Sequence, residues 1–289
     1  MKRTGKIVLY AAFTGMAVLF FLFRQFPSDL ARSLILEQLA QAQPDLEVFA
    51  QEVRPTFPPG LVFKPLEINY AGMPVIAADQ FRIRPNLLSL FGRNKGFAFS
   101  GPLGDGDIKG NAELDISDTP SKVLLAMNLD NVPIDRLPVV KNWPQYQPSG
   151  DLTGYIDYDS QKGAEGTAKI TLDVVPARIA FDPPIMGLEQ IEFSQLQAEL
   201  TVTPRMLQIR RCEATGTQLE SRLSGSIIFR EPMDSSRVTL SCTIKPQPAF
   251  IAEHKGDMIG GLLGTESAQK RGVVVRISGT LGNPRYVIR

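Results

Sequence analysis

The 289-residue chain holds one histidine, one tryptophan and two cysteines. Its single histidine, His254, stands between Glu253 and Lys255 in a glycine-rich stretch. That leaves no His/Cys/carboxylate cluster at metal-ligand spacing. Neither a Gly-x-Ser-x-Gly elbow nor a phosphate-cradling loop occurs. Gly104-Asp105-Gly106-Asp107 has the look of a calcium loop, but it lacks the later ligands and the bidentate Glu, so it reads as a hairpin turn. Asp157 and Asp159, two apart on a strand's polar face, read as solvated carboxylates. The expectation is a protein without cofactor or metal, and not an enzyme. Charge is balanced, with 31 Lys+Arg against 30 Asp+Glu, and no long basic run exists. Nucleic acid is therefore not an expected partner. Cys212 and Cys242 both fall in strand-like stretches. They read either as a disulfide, if an oxidising compartment and adjacent strands bring them together, or as two small buried hydrophobes.

What the chain does have begins at the N-terminus. After Lys2, Arg3 and Lys6, the run Ile7–Phe23 passes seventeen residues without a charge. As a helix it covers roughly 25 Å, against a hydrocarbon core of about 30 Å. Phe23-Arg24-Gln25-Phe26-Pro27 offers poor signal-peptide cleavage residues, which favours an uncleaved anchor carried by Ile7, Leu9, Val18, Phe20 and Phe23. The positive-inside rule places the N-terminus in the cytoplasm and the bulk outside. On this reading residues 1–26 are tail and anchor, and the membrane is a partner.

An amphipathic helix is expected over Ser28–Gln43, capped by Ser28 or Asp29, with Leu30, Leu34, Ile35 and Leu39 at helical spacing. Proline-punctuated strands follow at Leu46–Val53, Leu61–Tyr70 and Pro74–Arg84, then Asp107–Ile116 and Lys122–Leu129. Residues 27–148 form the first part of one β domain. Its end is marked by Pro138, Pro144 and Pro148 around Trp143.

Residues 149–289 are more regular. Leu152, Ile156 and Tyr158 share one face of a strand. Ile170, Leu172 and Val174 repeat the pattern, as do Leu196, Leu200 and Val202. Leu219, Leu223, Ile227 and Phe229 oppose Glu220, Arg222, Ser224 and Arg230, and Val238, Leu240 and Ile244 oppose Thr239, Ser241 and Lys245. Side chains alternate across a strand, so these strands are dry on one side and wet on the other. The spacers carry no helical periodicity, so the strands are antiparallel. Phe250–Lys270 is the exception and reads as a loop or weak helix. The fold class is mainly β: an N-terminal transmembrane helix, an amphipathic helix, then a curved antiparallel sheet. Its dry face must be buried somehow. It closes on itself as a sandwich or barrel, forms an open groove around lipid or another apolar ligand, or docks a partner.

The segment Arg82-Ile83-Arg84-Pro85-Asn86-Leu87-Leu88-Ser89-Leu90-Phe91-Gly92 resembles the AsmA-like and TamB-like envelope proteins. Ser149-Gly150-Asp151-Leu152-Thr153-Gly154 is similar to their recurrent strand opening, and Gly279-Thr280-Leu281-Gly282-Asn283-Pro284 to their closure. With Leu129-Asp130-Asn131-Val132-Pro133-Ile134-Asp135-Arg136-Leu137-Pro138, the chain resembles the protein N family of type II secretion systems (GspN), a short relative of that group. The resemblance implies a single-pass inner-membrane protein with a periplasmic bulk, an accessory component of the secretion machine. It implies other secretion or envelope proteins as partners, lipid as a further one, and no catalytic residues.

Overall fold

The computed structural model describes residues 46–289 apart from 71, 90–91, 116–121, 143, 163–165, 186 and 289, together with Tyr10, Phe13, Thr14, Phe21, Ser28, Arg32, Ser33 and Glu37. Among the described residues no helix is long and apolar enough to cross a membrane. This corrects the expectation of a single-pass inner-membrane protein with a cytoplasmic N-terminus and periplasmic bulk. The physical weakness of that expectation lies in the run's length, since seventeen residues reach about 25 Å of a roughly 30 Å hydrocarbon core. The finding concerns helices only. Ile7, Leu9, Val18, Phe20 and Phe23 lie outside the described residues, and so does the amphipathic segment but for Ser28, Arg32, Ser33 and Glu37, which are helical.

Strand makes up 66% of the described residues, so the protein is mainly β. It divides into two compact units, Met1–Arg84 and Pro85–Arg289. In the first, β1 (Leu46–Thr56) and β2 (Gly60–Tyr70) form a long antiparallel hairpin. β3 (Met73–Ala78) pairs with one half of β2, and β4 (Phe81–Pro85) with the other. Val53 opposes Phe63 and Ala50 opposes Leu66, and these four are buried with Leu61, Phe81 and Ile83 packed against them. Arg82 and Arg84 alternate outward, which is the two-residue strand period at work.

The second unit is an antiparallel meander. Its strands are β5 (Asn94–Leu103), β6 (Gly106–Asp115), β7 (Lys122–Pro133), β8 (Tyr146–Asp159), β9 (Thr167–Ile185), β10 (Leu188–Phe193), β11 (Gln195–Thr203), β12 (Met206–Thr215), β13 (Leu219–Ile228), β14 (Arg237–Pro246), β15 (Val273–Thr280) and β16 (Pro284–Ile288). Each pairs with its chain neighbour, except that β9 is flanked on one side by β10 and β11 in turn. The sheet is not closed. Position 148/149 falls inside β8. Two-residue links at Gly104-Asp105 and Pro204-Arg205, and the Thr280–Asn283 turn over Leu281-Gly282, make tight turns. Gly104 adopts φ 64°, which identifies the calcium-like tetrad as a hairpin link.

Phe250–Lys270 folds as three six-residue helices: α1 (Pro248–Glu253), α2 (Met258–Leu263) and α3 (Glu266–Arg271). Pro248 opens α1 at a position where its missing N–H is not needed. Thr265 caps α3, its hydroxyl accepting from the Ala268 N–H at 3.2 Å. Phe250, Ile259, Leu263 and Ala268 are buried, and α3 packs on β14. Helices of one and a half turns are too short for their periodicity to stand out beside four glycines.

Candidate functional site

The register of the second unit lines its apolar side chains into rows that cross the sheet. One row runs Ile156, Ile170, Leu200, Ile209, Gly225, Leu240, Ile277, each directly opposite the next. In the other direction it continues through Met127 and Gly110 to Phe99. The next row holds Leu129, Gly154, Leu172, Ala198, Cys212, Leu223 and Cys242. On its far side lie Leu152, Val174, Leu196 and Ala214, and across from them Ser221, Ile244 and Val273. A fourth row brings Tyr158, Val202, Ile227 and Val238 onto the same face. Leu219 sits opposite Pro246 at the other end of β13 from Ile227, and Phe229 follows β13, its N–H donating to the Arg205 carbonyl at 2.8 Å. All sixteen residues singled out in the sequence thus lie on one face or at its rim.

Residues that sequence alternation did not single out complete the surface. Leu207, Ile209, Cys212 and Ala214 of β12 belong to it, although their numbering changes parity. The cause is a bulge at Arg210, where β12 carries one residue more than β11 opposite Glu199 and Leu200. The adjacent pair Arg210-Arg211 inside an apolar alternation is the signal that could have revealed it. Phe97, Phe99, Ile108, Leu125 and Met127 extend the face onto β5–β7.

Burial grades across this face. Leu152, Val174, Ala214 and Leu219 are buried, whereas Ile156, Ile170, Leu172, Leu200, Leu223 and Leu240 are half-buried. The sheet is a single layer here, and no second sheet exists among the described residues. Apolar side chains therefore remain in partial contact with solvent over several strands.

The opposite face is polar and paired. Arg211 reaches Glu199 at 2.7 Å, Arg178 reaches Glu192 at 2.7 Å, and the amide of Gln195 donates to Asp173 at 2.8 Å. These exposed pairs contribute little stability each and mark a solvated surface. Asp157 stands opposite Lys169, and Asp159 accepts from the Gln161 N–H at 3.0 Å. His254 stacks on Phe250 at 4.3 Å, with its Nδ1 3.0 Å from the Phe250 carbonyl. Both contacts hold the imidazole against its own helix.

A cavity of about 450 Å³ lies where β8 and β9 bend, lined by Ser149, Gly150, Ala177, Phe193, Ser194 and Thr217. Gly150 has φ 135°, and a side chain there would run into the Pro176 carbonyl. Cys212 and Cys242 are free, with Leu223 of β13 between them in the row. Two strand spacings separate them, about 9.6 Å, beyond the roughly 7 Å that a disulfide tolerates. Burial pushes the Cys212 thiol up, with the Cys242 and Glu213 charges adding to it. Burial also raises the Cys242 thiol, opposed by the Ser221 hydroxyl. Among the described residues no group of His, Cys, Asp and Glu side chains could hold a metal. No family model, curated protein or solved structure matches the chain.

Proposed function

We propose that the protein is a non-enzymatic accessory component of the type II protein secretion system that works by contact with other envelope proteins. The observation that carries this reading is the unclosed sheet of the second unit with its half-buried apolar rows. Soluble proteins rarely leave contiguous apolar surface of more than a few hundred Å² uncovered, and larger patches mark interaction sites. The resemblance to the GspN group supplies the machine. The polar face supports a role by contact as well, because Glu199, Glu192 and Asp173 are engaged by arginine and amide partners, and His254 is held on Phe250. Deleting the gene should leave folded secretion substrates inside the cell, read as exported enzyme activity in the medium. Undiminished export would defeat the proposal.

A second reading is a lipid-handling groove, favoured by one observation: the Ile156–Ile170–Leu200–Ile209 row crosses four strands without a polar side chain. Protein purified without detergent from its native cells would then carry extractable lipid, measured by mass spectrometry. Leu200→Asp should remove that lipid while circular dichroism still reports the sheet. Lipid-free wild-type protein would exclude the groove.

A further inference from the structure

The last strand, β16, pairs only with β15 among the described residues. Thr280 and Asn283 exchange N–H···O bonds of 3.4 and 3.2 Å across the Leu281-Gly282 link. Bonded and non-bonded pairs alternate along an antiparallel ladder. Counting from the link, Ser278↔Arg285 and Arg276↔Val287 are the bonded pairs. Tyr286 and Ile288 therefore turn their N–H and C=O groups away from β15, toward an unpaired edge. Proteins usually blunt such edges with proline, charge or a covering element. Here Pro284 protects one end, while Tyr286, Val287 and Ile288 are 60%, 49% and 46% exposed.

The two faces of this edge differ in chemistry. Tyr286 extends the apolar row of Ile277, and Ile288 that of Val275. Arg276 and Arg285 lie diagonally on the polar face, both exposed and without an ion pair among the described residues. An incoming strand that alternates apolar and acidic residues satisfies all three features at once. We infer that β16 is a docking edge for an extended acidic–apolar segment of a partner protein, which adds to the sheet as a further strand. Its backbone bonds Tyr286 and Ile288, its apolar side chains flank those two residues, and its carboxylates face Arg285 and Arg276. A second copy of this chain fits poorly, because paired β16 strands would gather two arginines from each copy at one seam. The inference deepens the contact reading above by naming an edge and the chemistry of what it takes.

The test titrates the full chain into a fluorescein-labelled peptide of alternating valine and glutamate, followed by anisotropy. Saturable binding that weakens with salt is expected, with a valine–lysine peptide binding more weakly. Tyr286→Pro removes one outward N–H but leaves the bonds of Arg285 and Val287 to β15, and should weaken binding at least about threefold. Arg276→Glu together with Arg285→Glu should reverse the preference toward the lysine peptide, and circular dichroism on each variant checks the fold. Absence of binding, equal binding of the two peptides, or indifference to both variants overturns the inference. Dimerisation in the ultracentrifuge that Tyr286→Pro abolishes would overturn it in favour of a second copy. A failed peptide test alongside lost export on deletion would sink the edge alone; normal export would sink the contact reading alone.

Discussion

Leu152 and Val174 face each other across β8 and β9 at 6% and 5% exposure. Four residues along the same two strands, Ile156 and Ile170 face each other on the same side and are only half-buried. The residue types are equivalent and the strands are shared, so alternation cannot tell the rows apart. Alternation sorts residues between faces; what lies over a face is decided by tertiary contacts far away in sequence. Leu152 and Val174 are core, whereas Ile156 and Ile170 keep partial contact with solvent.

The largest expected effect breaks the buried row. Val174→Asp places an unpaired carboxylate at a buried position, and should destabilise the fold by more than about 3 kcal/mol in urea titration. Gly150→Ala comes next, because φ 135° disfavours any side chain and a Cβ there meets the Pro176 carbonyl. A loss of about 2 kcal/mol is expected, since the second unit must shift β8 or strain its backbone. Leu200→Asp in the half-buried row should destabilise by only about 1 kcal/mol, as its carboxylate can keep contact with solvent. Equal losses for Val174→Asp and Leu200→Asp would erase the distinction between the rows and return the whole face to core.

Much of this surface was legible in the sequence. Strict alternation over 152–158, 170–174, 196–202 and 238–244 is visible because each strand there keeps its period without interruption. β12 was not legible as part of the face, since the extra residue at Arg210 shifts the parity between Ile209 and Cys212. Phe97 and Phe99 escaped because small partners hide the pattern: Gly110 stands opposite Phe99 and Ala112 opposite Phe97, so β6 shows little apolar alternation of its own. The three helices of 248–271 were legible only as a loop or weak helix, because a capping threonine and a buried Ala268 leave no stripe to count. Whether the sheet closes was open for a different reason. Closure depends on whether the sheet's end strands meet, and no local pattern encodes that pairing.

The smallest effect separates the two readings of the cysteines. Both thiols lie in the row centred on Leu223, and burial raises both. Below the ordinary thiol value of about 8.5, folded and unfolded chains are alike protonated and the thiols contribute nothing to pH dependence. As pH rises through that value the unfolded chain releases its protons first, while the folded chain still holds them. The unfolded state then binds fewer protons, so stability falls with rising pH until the folded thiols also ionise. Urea midpoints measured from neutral to alkaline pH should therefore decline more steeply in the wild type than in Cys212→Ala/Cys242→Ala. Cys242 should contribute the lesser share, because the Ser221 hydroxyl, 3.9 Å from its sulfur, opposes the shift. A disulfide would remove both titrations and make the two slopes equal. Parallel slopes, or a mass lower by two protons under non-reducing conditions, would show that β13 does not keep the sulfurs apart.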